Sequence, residues 1–109
     1  MTTNITRQDL QTAIVSDQPP VLFEALGTPY FRKGHLPGAK QLDHEHAPEQ
    51  LASERISFDT PIVVYCANAK CANSRIAAEA LERAGYANVR VYEEGKQDWQ
   101  EAGLALSRD

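Results

Sequence analysis

The stretch Pro61-Ile62-Val63-Val64-Tyr65-Cys66, followed at once by Ala67-Asn68-Ala69-Lys70-Cys71-Ala72, decides the fold class. Ile62 to Tyr65 is a continuous apolar run opened by a proline. A strand with one wet face alternates apolar and polar residues. A run without polar interruption suits a strand covered on both faces, as in a parallel sheet buried between helices. Beyond the small and polar residues after Cys66, the segment Ile76 to Ala84 is rich in alanine, with Ile76 and Leu81 as apolar contacts. Asn73 or Ser74 is placed to cap that helix, and Gly85 to end it.

Working outward, Val89-Arg90-Val91-Tyr92 alternates as a strand does, Gly95 turns the chain, and Gln97 to Ala102 forms a last short helix anchored by Trp99. Upstream, Val21-Leu22-Phe23 reads as a short buried strand. Gly34-His35-Leu36-Pro37-Gly38-Ala39 is punctuation, and Pro48 to Ile56 is helical. Thr6 can cap a first helix that has Asp9 in its opening turn and Leu10, Ala13 and Ile14 on one face. Pro19-Pro20 stops it. The alternation predicts an α/β domain, residues 1–109 forming one unit around a largely parallel sheet.

The bulk properties agree with a single core: 109 residues leave no room for a second. With 11 Lys+Arg against 15 Asp+Glu the net charge is −4. That argues against general nucleic-acid binding and against adhesion to an anionic membrane. No apolar run is long enough to span a bilayer. The N-terminal residues lack the pattern of an export signal, so a cytoplasmic, reducing setting is expected.

Chemistry concentrates at Cys66. In open parallel sheets, ligands sit beyond the carboxyl ends of the strands. If the loop curls round the sulfur, the N–H groups of Ala67, Asn68, Ala69, Lys70, Cys71 and Ala72 form an anion-binding nest. The small side chains let backbone approach a ligand, and Lys70 adds a mobile positive charge. A thiolate is itself an anion, so the Cys66 pKa is expected below its free value of about 8.5. The competing structural role is that of a small buried hydrophobe at a strand end. Metal binding is not expected. Cys66 and Cys71 are only two ligands where tetrahedral zinc wants four, and His44 and His46 sit in an acidic, exposed turn. His35 is expected to tie its turn by hydrogen bonds. Tyr30, Phe31 and Arg32 are candidates for the rim of the site.

Four segments, taken in order, resemble the rhodanese family. Gly34-His35-Leu36-Pro37-Gly38-Ala39 is similar to its Gly-His-Ile-Pro-Gly-Ala signature. Ile62 to Cys66 resembles the strand that ends in the active cysteine. Ala77 to Leu81 with Gly85-Tyr86 resembles the following helix and its exit. Glu94-Gly95-Lys96 through Trp99 and Ala102-Gly103-Leu104 resembles the closing segment. The resemblance implies a three-layer fold, a mostly parallel sheet flanked by helices on both faces. It implies a sulfurtransferase in which Cys66 takes a sulfane sulfur from thiosulfate or a persulfide donor and passes it to a thiol or cyanide. The implied partners are that small-molecule donor and acceptor and a sulfur-relay protein. No metal or organic cofactor is implied.

The departures are specific. The family's Asp-Val-Arg triplet stands here as Glu24-Ala25-Leu26, the arginine after the cysteine is Ala67, and the double glycine is Glu94-Gly95. Positive charge near the loop therefore rests on Lys70, with Arg75 just beyond as a possible accessory. A phosphatase-type Cys-x5-Arg loop would need arginine where Ala72 stands, and Arg75 lies too far along to replace it. Cys71 has two readings: a cysteine packed under the loop, or one that resolves an oxidised or persulfidated Cys66 as a disulfide. A catalytically weak binding or redox-sensing module is the alternative function.

Overall fold

A computed structural model describes residues 2–108. In chain order the elements are β1 (Thr3–Asn4), α1 (Arg7–Ile14), β2 (Val21–Glu24), α2 (Thr28–Lys33), β3 (Lys40–Gln41), α3 (Ala47–Ser53), β4 (Ile62–Tyr65), α4 (Asn73–Arg83), β5 (Val89–Tyr92) and α5 (Gly95–Glu101). The five strands form one sheet in the order β1-β5-β4-β2-β3, every neighbouring pair parallel. β4 lies at the centre, and all four of its residues are fully buried. Its unbroken apolar run follows from that position: neither face meets water.

Alternation along the strands sorts the core into two layers. Ile62 and Val64 face one way, with Phe23 and Val91, against Leu51 of α3 and Ala77, Ala78 and Leu81 of α4. Val63 and Tyr65 face the other way, with Leu22 and Tyr92, against Leu10 of α1 and Trp99 of α5. Each fully buried aliphatic side chain of β4 contributes about 1.5–3 kcal/mol of hydrophobic stabilisation. The result is the three-layer α/β architecture expected from the sequence.

Several boundaries differ. α1 is capped as anticipated, Asp9 N–H donating to Thr6 Oγ1 at 3.1 Å. β1 and β3 were not anticipated; at two residues each they are too short for any periodicity and exist by pairing with β5 and β2. α2 was also not anticipated; it has six residues and opens with Pro29 in its first turn. α3 starts at Ala47, with Pro48 at the position that needs no N–H donor, and ends at Ser53 rather than Ile56. α5 begins at Gly95, before the expected Gln97, and ends at Glu101. α4 begins at Asn73, three residues before the expected Ile76, and neither Asn73 nor Ser74 caps it. Both side chains are turned elsewhere, toward the carboxyl end of the sheet.

Candidate active site

β4 delivers Cys66 to the carboxyl edge of the sheet, and the side chain is fully buried there. Its Sγ lies 3.3 Å from the Cys71 carbonyl oxygen, to which the thiol donates, and 3.4 Å from Ser74 Oγ. Ser74 is itself buried, in the first turn of α4. Burial pushes the Cys66 thiol above its ordinary pKa, and the nearby Cys71 side chain pushes the same way. The Ser74 hydroxyl and backbone N–H pull against them. The expected depression of this pKa is thus overturned. The sulfur is packed away from water and faces a carbonyl oxygen, both of which favour the neutral thiol.

The loop explains why. Asn68 turns it on itself: its Oδ1 accepts the Lys70 N–H at 2.9 Å and its carbonyl accepts the Cys71 N–H at 3.1 Å. Two of the N–H groups anticipated for the anion nest are therefore used within the loop. The Ala67 and Asn68 residues are half-buried, while Ala69, Lys70 and Ala72 are exposed and Cys71 is intermediate. Lys70, with Asn68 and Ala69, lines a cleft of about 330 Å³ completed by Glu94, Gln97, Asp98 and Glu101 of the α5 segment. Arg75 is paired with Glu93, Nη1 to Oε1 at 3.7 Å.

Two charged groups brace the backbone around Cys66: Glu24, which the sequence offers as the stand-in for the family's acid, and Lys96, whose pairing with it the sequence did not indicate. Glu24 ends β2 and is fully buried. Its Oε1 accepts the hydroxyl of Tyr65 at 2.9 Å, and its Oε2 pairs with Lys96 Nζ at 3.2 Å. The same Nζ donates to the carbonyls of Tyr30 at 3.0 Å and Gly34 at 2.8 Å. Tyr65 Oη in turn accepts the Leu36 N–H at 3.0 Å. Burial first, and the Glu24 carboxylate second, hold the Tyr65 hydroxyl protonated far beyond its ordinary range. The Lys96 backbone N–H also donates to the Cys66 carbonyl at 3.0 Å, and Gln97 N–H to the Ala67 carbonyl at 2.9 Å. The cation missing from the Glu24-Ala25-Leu26 segment is thus supplied by α5. One signal was available: a charge at the end of a buried strand must find a partner.

Close approach fixes the choice of residue between them. Gly95 has φ +67°, and a Cβ there would overlap the Cys66 carbonyl oxygen and lie 2.9 Å from the Ala67 carbonyl carbon. Only glycine lets the start of α5 sit this close to the loop. Asn73 Nδ2 donates to the Ala25 carbonyl at 3.2 Å, tying the start of α4 to the end of β2.

The remaining anticipated residues have structural surroundings. His35 Nδ1 is 3.0 Å from the Phe31 carbonyl, and the two rings stack at 3.9 Å. Trp99 packs edge-on to Tyr92 and donates to the Ala105 carbonyl at 3.0 Å. Tyr30 is exposed. His46 pairs with Asp43 at 2.9 Å on the surface, each stabilising the other's charged form. No helix among the described residues is long and apolar enough to cross a membrane.

Sheet order and a buried strand-end cysteine define a parallel α/β domain built around one thiol. A family model described as the Rhodanese-like domain matches residues 6–102, and the chain belongs to that family. The Rhodanese_3-like domain of the Alr3790 protein from Anabaena sp. superposes with a TM-score of 0.72 at 20% identity, over 81% of this chain and 98% of that one. A thiosulfate sulfurtransferase from Pseudomonas aeruginosa superposes with a TM-score of 0.85 at 25% identity, over 98% of this chain but only 20% of its own. EanB in complex with ergothioneine gives a TM-score of 0.83 at 19% identity, over 99% of this chain and 28% of that one. Another EanB structure holds ergothioneine covalently linked with a persulfide cysteine. No curated protein sequence matches the chain.

Proposed function

We propose that the protein is a sulfurtransferase that carries a sulfane sulfur on Cys66. The observation that supports this most directly is the position of Cys66, a buried thiol between Ser74 Oγ and the loop at the carboxyl end of the central strand. The Cys66 thiolate attacks the outer sulfur of thiosulfate or of a persulfide. The donor's S–S bond breaks, sulfite or a thiolate leaves with the electron pair, and Cys66 becomes a persulfide. A thiol or cyanide then takes the outer sulfur and regenerates Cys66. A sulfur-relay protein is a further partner on this reading. No metal or organic cofactor enters either step. The thiol proton must leave first, since the thiolate is the nucleophile. The Ser74 hydroxyl can then turn to donate to the anion it faces. Both cysteines are free, the state a reducing cytoplasm maintains, and we place the protein there.

A second reading, a catalytically weak binding or redox-sensing module, is favoured by one finding: the raised Cys66 pKa in a loop whose Lys70 and Cys71 N–H groups are already used. Thiocyanate formation from thiosulfate and cyanide, measured for wild type, Cys66→Ser and Cys71→Ser, separates the two. Turnover lost in Cys66→Ser, with a sulfur adduct on Cys66 in the wild type, supports the transferase. An inactive wild type that also acquires no sulfur on Cys66 defeats it.

A further inference from the structure

The loop holds two thiols, and only Cys66 is used above. Asn68 folds the chain so that residue 71 returns to the strand end: the Cys71 carbonyl oxygen is 3.3 Å from Cys66 Sγ. The Cys71 side chain also helps raise the Cys66 pKa, consistent with the backbone contact that brings residue 71 to the sulfur. Cys66 is buried while Cys71 is intermediate, so Cys71 meets solvent and reductants more readily.

We propose that Cys71 resolves the Cys66 persulfide, giving the site a hydrosulfide-releasing activity beside transfer. The proposal rests on the transferase reading, because Cys66 must first hold the sulfur. The Cys71 thiol loses its proton to solvent, and its sulfur attacks Cys66 Sγ. The bond from Cys66 Sγ to the outer sulfur breaks, and hydrosulfide leaves with the electron pair. A Cys66–Cys71 disulfide remains. The outer sulfur is reduced to hydrosulfide as the Cys71 sulfur is oxidised, while the Cys66 sulfur stays at the disulfide level, so no outside oxidant is needed. Two equivalents of a low-molecular-weight thiol reset the pair and become a disulfide themselves. An acceptor such as cyanide competes by taking the outer sulfur before Cys71 attacks.

Proximity sets the size of the effect. A neighbouring thiol on a short tether acts at an effective concentration of about 1 mM, so with protein at about 10 μM resolution outpaces encounter between molecules about 100-fold. The test loads wild type, Cys71→Ser and Cys71→Ala with thiosulfate or inorganic polysulfide without reductant. Intact mass and hydrosulfide are then followed in time. The expected result is a persistent one-sulfur adduct in both variants. In the wild type the adduct gives way to a species lacking two hydrogens, with one hydrosulfide released and a Cys66–Cys71 peptide link. A wild type that keeps its adduct as long as the variants overturns the proposal and leaves the transferase standing. Sulfur found on Cys71 as a persulfide overturns it in favour of transfer between the two cysteines. Adduct in none of the three proteins overturns both readings.

Discussion

Replacing Gly95 by alanine tests how the loop is held. A methyl group at this position overlaps the Cys66 carbonyl oxygen and crowds the Ala67 carbonyl oxygen at 3.0 Å. Those atoms are backbone and cannot rotate away, so the start of α5 must back off. Doing so releases the Lys96 N–H from Cys66 and the Gln97 N–H from Ala67, bonds of 3.0 and 2.9 Å. Each is worth about 1 kcal/mol net. Holding alanine at a left-handed φ adds about 1–2 kcal/mol. The sum is about 3–4 kcal/mol, a large part of the total for a domain of this size. An unfolding entropy of about 2.1 cal/mol/K per residue over the whole chain gives about 0.23 kcal/mol/K, so Tm should fall by about 13–17 °C. Calorimetry and urea titration measure the loss, and alkylation of Cys66 under native conditions should quicken as the loop loosens. A Tm within about 4 °C of wild type, roughly 1 kcal/mol, with Cys66 alkylated at the wild-type rate, would refute the reasoning.

Three further outcomes follow from the charges. The rate of Cys66 alkylation should rise with pH through a midpoint above the free-thiol value of about 8.5, because burial favours the neutral form. Ser74→Ala should move it higher still, and a midpoint at or below the free value contradicts the geometry. Lys96→Met leaves the buried Glu24 carboxylate without its cation and should cost about 3–5 kcal/mol in urea denaturation. The double variant Glu24→Gln/Lys96→Met should regain most of that, and a double variant no more stable than the single one argues against the ion pair as the cause. Cys66, Tyr65 and Tyr92 all hold their protons more tightly folded than free. The unfolded chain therefore binds fewer protons at alkaline pH, and stability should decline from about pH 8.5 and faster above about 10. Asp98 runs the other way: the Tyr92 hydroxyl, and then Arg7, hold its pKa low, so its contribution is present above about pH 3.9 and lost as pH falls through the folded value. Urea midpoints that stay level through the alkaline range would show that these buried groups do not set the pH dependence.

The architecture was legible because its determinants are local. Ile62 to Tyr65 announces a central strand by composition alone, and the alternation of strand and helix after it leaves few topologies. The position of Cys66 followed from the same run. Its electrostatics did not. A nest of N–H groups was inferred from a loop of small residues before a helix, but small residues permit that conformation without requiring it. Asn68 decides otherwise: its side chain and carbonyl take the Lys70 and Cys71 N–H groups, and the Cys71 carbonyl is what meets the sulfur. Asn73 and Ser74 were legible as capping residue types. They are instead used across the sheet edge, Asn73 on Ala25 and Ser74 on Cys66.

The least legible part is the ion pair under the site. Glu24 and Lys96 are 72 positions apart, and no periodicity links them. Compared segment by segment with the family, Glu24-Ala25-Leu26 has simply lost an arginine. In three dimensions the requirement is met by another element: Lys96 Nζ reaches Glu24 while its own backbone N–H holds the Cys66 carbonyl. Tyr65, directly before Cys66, hydrogen-bonds the same carboxylate. One buried charge pair therefore grips the backbone on both sides of the cysteine bond, from Tyr65 through its hydroxyl and from the Cys66 carbonyl through α5. Pairing rather than segment identity is what the fold requires of a charge buried at a strand end. The arginine's absence from its usual segment is thus no measure of how firmly Cys66 is positioned. The loop arginine is a different matter, since Lys70 lines the cleft beside α5 and Arg75 pairs with Glu93. The scaffold charge has been replaced, whereas Arg75 beyond the loop is already committed to Glu93.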